Sequence, residues 1–173
     1  MAKIIAVEID DVLNNFASMM NEMGIIYDAR LHSIADPLLK KCLYKLEEGG
    51  LTPTAEKVME SAVARDDSVV FLRWLSERGW TIILFTYRDL RFAYDQTIKW
   101  LNDHQIQYDY LFSVDNIINF CQDMKIQCLI SAQPFQVANL TVFSPAGSDK
   151  KNLRDGLYEF YYFEEVGQWI EKL

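Results

Sequence analysis

Apolar residues along this chain fall into two kinds of run. Short continuous runs occupy 3–9, 80–86, 108–114, 126–130 and 140–143, and each has the length and composition of a buried strand. A further strand-like run, rich in aromatics, covers 158–163. Between these runs the apolar positions recur at helical spacing. Val69, Leu72 and Leu75 form one stripe, in a helix that Asp67 or Ser68 can cap and Gly79 ends. Residues 89–104 form a second, carrying Phe92, Ile98, Trp100 and Leu101; 116–124 form a short third, and 164–173 a terminal one. Strands alternating with helices predict a parallel α/β sheet.

Residues 14–65 break that alternation. Leu38, Leu39, Cys42, Leu43 and Leu46 have helical spacing, Gly49-Gly50 ends that helix, and Thr52-Pro53-Thr54 starts another with Pro at an early position. With no strand expected there, 14–65 reads as a small helical insertion in a core made of 1–13 and 66–173.

Composition narrows the function. The chain has 173 residues, of which 50% are hydrophobic and 24% charged, as expected for a folded domain. Its 25 acidic and 17 basic side chains leave a net charge of −8, which argues against nucleic acid and anionic membrane surfaces as partners. No apolar run reaches the ~20 residues of a membrane helix. Cys42, Cys121 and Cys128 are odd in number and scattered, so reduced buried thiols in a cytoplasmic protein are the expectation.

In a parallel α/β sheet, ligands bind beyond the carboxyl ends of the strands. The informative residues are therefore Glu8, Asp10 and Asp11, then Thr86-Tyr87-Arg88, then Asp115-Asn116, then Ser131-Ala132. In a strand, positions two apart point the same way, which would bring the carboxylates of Glu8 and Asp10 to one side of the sheet's edge. Such a pair can hold Mg²⁺ or divide labour as nucleophile and acid. Equally, Asp10 or Asp11 can cap the turn that follows.

The run Glu8-Ile9-Asp10-Asp11-Val12-Leu13 resembles the first motif of the haloacid-dehalogenase-like (HAD) hydrolases, an apolar strand entering Asp-x-Asp-Gly-(Val/Thr)-Leu. Ile82-Ile83-Leu84-Phe85-Thr86 is similar to the second motif, and Tyr87-Arg88 continues it as in members like the 5'(3')-deoxyribonucleotidases. The resemblance implies a three-layer, doubly wound, mostly parallel Rossmann-like sheet with 14–65 as a small helical cap. It implies Glu8 at the nucleophile position, Asp10 as general acid/base and Thr86 as the third catalytic position. Glu8 and Asp10 then contribute to the Mg²⁺ site, and Thr86, Tyr87 and Arg88 to anion binding. For Arg88 a salt bridge to Asp10, Asp11 or Asp89 is the competing expectation.

Three departures stand against phosphatase activity. Glu8 carries one methylene more than Asp and moves the carboxylate about 1 Å outward, where positioning tolerates about 0.5 Å. No Lys follows the third strand before Lys125, and Ser131-Ala132 stand where the fourth motif needs an acid. Phosphoryl transfer depends on positioning and electrostatic stabilisation, so these losses together predict a degenerate site. The expected role is then binding, regulation or scaffolding, with Mg²⁺ as the cofactor if there is one and a phosphate-bearing small molecule as a candidate partner. One alternative is an active Mg²⁺-dependent phosphatase or nucleotidase in which Asp115 or Asp149 completes the site. Another is an assembly domain that forms a homo-oligomer through its aromatic segment, Tyr158 to Phe163. His32 and His104 lack partners at ligand spacing. Met19, Met20 and Met23 read as packing, and Asn14 and Asn15 as turn residues.

Overall fold

The structure is a computed structural model describing residues 3–25, 27, 41–45, 47, 49–134, 139–146 and 156–172. Six parallel strands form its sheet: β1 (Lys3–Glu8), β4 (Trp80–Thr86), β5 (Tyr110–Ser113), β6 (Cys128–Ile130), β7 (Thr141–Pro145) and β8 (Leu157–Phe160), in the spatial order β5-β4-β1-β6-β7-β8. The continuous apolar runs become strands because both faces are covered. Ile5, Ala6 and Val7 of β1, Leu84 and Phe85 of β4, and Leu129 and Ile130 of β6 are fully buried. Each large side chain among them contributes about 1.5–3 kcal/mol relative to exposure. The register aligns Val7 with Leu84 on one side and Ile130 on the other, so β1, β4 and β6 end level.

Helices flank the sheet in a three-layer arrangement: α3 (Asp66–Glu77), α4 (Leu90–Asp103), α5 (Ile117–Asp123) and α6 (Phe163–Ile170). Asp89 caps α4 and Asn116 caps α5 through their side chains. Gly79 follows α3 at φ 73°, the left-handed conformation that lets the chain turn into β4. Phe71 of α3 stacks on Phe163 at 4.9 Å, while Phe120 of α5 meets Phe85 and Phe112.

Residues 14–65 leave and rejoin this core at one point. Asn14 bridges to Ala64, the Arg65 N–H donates to the Leu13 carbonyl (2.9 Å), and the Val63 N–H donates to Asn15 Oδ1 (2.7 Å). The described part of this segment holds α1 (Phe16–Glu22) and α2 (Pro53–Ser61), with Thr52 capping α2 as its position before proline predicts. One expectation fails here. Helical structure in the described residues stops at Leu43, and Tyr44–Lys45 (β2) pairs antiparallel with Gly50–Leu51 (β3). Gly49, at φ 72°, turns this hairpin, and the Thr52 N–H closes it on the Leu43 carbonyl at 2.9 Å. Of the paired glycines read as a helix stop, Gly49 therefore makes a hairpin turn and Gly50 opens β3. Leu38, Leu39, Leu46 and His32 lie outside the described residues. Among the described residues no helix is long and apolar enough to cross a membrane. Cys121 and Cys128 are buried and all three cysteines are free, but Cys42 is exposed, contrary to expectation.

Candidate functional site

Beyond β1 the chain does not continue as a strand. Residues 9–13 form a wide single turn in which Asp10 keeps extended angles (φ −77°, ψ 128°) and Asp11 is left-handed (φ 63°, ψ 1°). Ile9, Val12 and Leu13 anchor this turn in the core. Asp11 stands where the first HAD motif carries Gly, and Asp is among the few other residues that tolerate that conformation. Asn14 Oδ1 accepts from the Asp11 N–H (3.0 Å) and the Phe16 N–H (3.1 Å), and Asp11 Oδ1 accepts from the Ala17 N–H at the start of α1. Of the two roles open to these acids, Asp11 takes the capping one.

Asp10 is held by three side chains. Arg88, fully buried, donates from Nε to Asp10 Oδ2 (2.9 Å) and from Nη2 to Asp10 Oδ1. Thr86 Oγ1 donates to Oδ2 at 2.9 Å, and Asn14 Nδ2 reaches Oδ1 at 3.4 Å. The remaining guanidinium nitrogen, Nη1, donates to Thr97 Oγ1 on α4 (3.2 Å), and the guanidinium lies over the Phe16 ring at 5.2 Å. Of the two expectations for Arg88, the structure holds the ion pair with Asp10. A forked guanidinium–carboxylate pair is the strongest geometry for such a contact. With the guanidinium spent on Asp10 and Thr97, Arg88 is not presented to a ligand.

Glu8 faces the other way. Its Oε2 accepts from Ser131 Oγ (2.6 Å) and from the Ala132 N–H (2.9 Å), both just beyond β6. The carboxyl is buried, and burial raises its pKa from 4.5 to about 8; the bonds to Ser131 and Ala132 oppose that rise without cancelling it. Burial thus favours the protonated form of Glu8. The expected alignment of the two carboxylates is thus corrected. The strand ends at Glu8, the period of two no longer applies, and Asp10 turns toward the end of β4 while Glu8 turns toward that of β6.

Two backbone donors after Thr86 are also engaged. The Arg88 N–H donates to Thr86 Oγ1 (3.0 Å), and the Asp89 N–H donates to the phenol oxygen of Tyr44 (2.9 Å). Tyr87 is buried, and its hydroxyl has no hydrogen-bond partner among the described residues. Burial, then the neighbouring Glu8 and Cys121, keep this phenol neutral. Asp115 lines a cavity of about 440 Å³ with Tyr87, Asp89, Leu90, Arg91 and Ser113. Asp149 lies outside the described residues. His104 sits at the end of α4, its ring against Trp100. Met19 and Met20 are buried, and in the aromatic segment Phe160 and Phe163 are buried while Tyr161 and Tyr162 are exposed.

Several partners in this site escape a reading of motifs. Thr97, Tyr44 and Phe16 belong to no strand of the parallel sheet. Thr97 carried a signal: a hydroxyl on the buried stripe of α4 with Ala93, Trp100 and Leu101 needs a polar partner.

No family model and no curated protein sequence matches the chain. Solved structures do. A HAD-superfamily hydrolase of subfamily IA from Geobacter sulfurreducens superposes with a TM-score of 0.56 at 14% identity, over 100% of both chains. A HAD phosphatase from Thermococcus onnurineus gives 0.56 at 12% identity over 97% of each chain. A predicted phosphatase from Clostridium acetobutylicum gives 0.58 at 14% identity over 100% of both. The fold is that of the HAD-superfamily hydrolases.

On this fold the resemblance implies a Mg²⁺ ion at the end of β1, and the donor set does not fit one. Mg²⁺ requires oxygen ligands in octahedral geometry, carboxylates among them. Here Ser131 supplies a hydroxyl that points its proton at Glu8, and both oxygens of Asp10 are bonded to a guanidinium. Among the described residues no three Asp, Glu, His or Cys side chains group as metal ligands.

Proposed function

We propose that this HAD-fold domain does not hydrolyse phosphomonoesters and acts instead by binding, in a regulatory or scaffolding role. The observation that carries this reading is the internal saturation of the strand-end carboxylates. Asp10 is neutralised by Arg88, and Glu8 is sealed against Ser131 and Ala132 with a pKa of about 8. A nucleophile must be ionised and presented to phosphorus; burial disfavours ionisation of Glu8, and its Oε2 is held by Ser131 and Ala132. A general acid/base must exchange its proton with the reacting group, and Asp10 is bonded to a permanent cation. The kinship we favour is with the 5'(3')-deoxyribonucleotidase-like members, on Thr86-Tyr87-Arg88 and on residues 14–65 acting as the cap.

The test is turnover of p-nitrophenyl phosphate and of a nucleoside monophosphate panel with Mg²⁺, the wild type beside Glu8→Gln. Glu8→Gln keeps the carbonyl that accepts from Ser131 and Ala132 and removes the ionisable oxygen. No difference between the two proteins is expected. Mg²⁺-dependent turnover that Glu8→Gln abolishes would overturn the proposal.

A further inference from the structure

The Tyr87–Asp89 turn, which carries Arg88, is fixed by three hydrogen bonds from different parts of the chain. Thr86 Oγ1 accepts from the Arg88 N–H (3.0 Å), Ser113 Oγ at the end of β5 donates to the Arg88 carbonyl (2.7 Å), and Tyr44 of β2 accepts from the Asp89 N–H (2.9 Å). The first two come from the sheet. The third comes from residues 14–65, across 45 positions of sequence. Tyr44 is only 4% exposed, and its ring packs on Phe92 in the first turn of α4 at 5.7 Å. Its partner Leu51 on β3 is buried as well, so the hairpin is docked by packing and by the Tyr44 hydrogen bond.

We infer that Tyr44 is a positioning residue through which the β2–β3 hairpin holds the Arg88 turn, and with it the Arg88–Asp10 pair, in the closed arrangement. A buried N–H deprived of its acceptor must find water, so losing the phenol oxygen favours opening of the turn. The turn carries the guanidinium paired with Asp10; movement of the hairpin is therefore transmitted to that ion pair. The coupling runs both ways: whatever lifts the hairpin loosens Arg88, and whatever unseats Arg88 weakens the hairpin's dock. Contact with a partner at 14–65 would in this way be sensed at the end of β1. The inference does not depend on whether the site turns over substrate.

Tyr44→Phe removes the acceptor and keeps the ring on Phe92. The experiment is hydrogen exchange by NMR on the full chain, at the Asp89 amide and the Arg88 Nε–H, with Val58→Ala in α2 as a packing control of similar overall destabilisation. Tyr44→Phe is expected to accelerate exchange at least fivefold at both groups, with the amides of β4 unchanged, and Val58→Ala to leave both groups at wild-type rates relative to global stability. Unchanged exchange at Asp89 and Arg88 in Tyr44→Phe would overturn the inference. So would equal acceleration in Val58→Ala, because that would make the effect general loosening.

Discussion

Replacing Glu8 by Gln isolates the cost of placing an ionisable group at the end of β1. The side chain is buried, its Oε2 accepts from Ser131 Oγ at 2.6 Å and from the Ala132 N–H at 2.9 Å, and its pKa rises from 4.5 to about 8. The folded state therefore holds a proton that the unfolded chain releases in this window. Stability linked to Glu8 is fully present below pH 4.5 and is lost as the pH rises toward 8. Between those limits the loss reaches about 5 kcal/mol, since each tenfold difference in proton affinity between the folded and unfolded chain is worth about 1.4 kcal/mol. Gln keeps the two accepted bonds and has no proton to lose. Urea denaturation of both proteins at pH 5, 7 and 9 gives the comparison. The variant should exceed the wild type by roughly 1 kcal/mol at pH 5 and by about 4–5 kcal/mol at pH 9. Taking the difference between the two proteins cancels the other titrating groups. A difference that stays constant from pH 5 to pH 9 would refute the reasoning, since it would mean that Glu8 ionises in the folded protein as it does in the unfolded chain. That outcome would also reopen Glu8 as a nucleophile.

Three further outcomes follow from the same geometry. Asp10→Asn leaves Arg88 buried beside a neutral amide and should cost about 3–5 kcal/mol, whereas Asp10→Leu combined with Arg88→Met should restore most of that, as the urea midpoints will show. Asp11→Asn should keep wild-type stability, because Asn tolerates φ 63° and can accept from the Ala17 N–H, while Asp11→Ala should lose about 1–2 kcal/mol in the same measurement. Millimolar Mg²⁺ should leave the thermal midpoint of the wild type unmoved and raise that of Glu8→Asp with Ser131→Asp, which supplies two carboxylates at the ends of β1 and β6.

The parallel sheet follows from a signal that survives folding unchanged. A continuous apolar run such as Ile4-Ile5-Ala6-Val7 has one stable destination, a strand covered on both faces, and helices between such runs bring the strands parallel. Three helix starts were legible for the same local reason: Thr52 before Pro53, Asp89 before α4 and Asn116 before α5 each satisfy an N–H within three residues, whereas α3 starts at Asp66 without a side-chain cap, and Asp67, expected to cap it, accepts from the Phe163 N–H instead. The β2–β3 hairpin was not legible, because two adjacent glycines serve a helix stop and a hairpin turn equally well. The choice is made by burial of Tyr44 and Leu51 against the rest of the molecule, which no local pattern reports.

The strand-end carboxylates show where spacing stops being informative. Two positions apart means one direction only while the backbone stays extended, and the extended strand ends at Glu8, where the 9–13 turn begins. Once that period is broken, each carboxylate goes to the nearest donors. For Glu8 these are Ser131 and Ala132 just beyond β6, and for Asp10 they are Thr86 at the end of β4 and Arg88 in the turn after it. The residues absent from the motifs and the contacts present in the structure then describe one condition. Where an acid after β6 would have repelled Glu8 and required a cation between them, Ser131 donates a proton and requires none. Where a cation from outside would have been needed beside Asp10, Arg88 brings one on the chain itself. Substituting one position leaves the others mismatched: an acid at 131 alone would press a second carboxylate against Glu8, and loss of Arg88 alone would strand Asp10. The site is therefore consistent as a whole, and recovering a metal-dependent centre calls for several changes together.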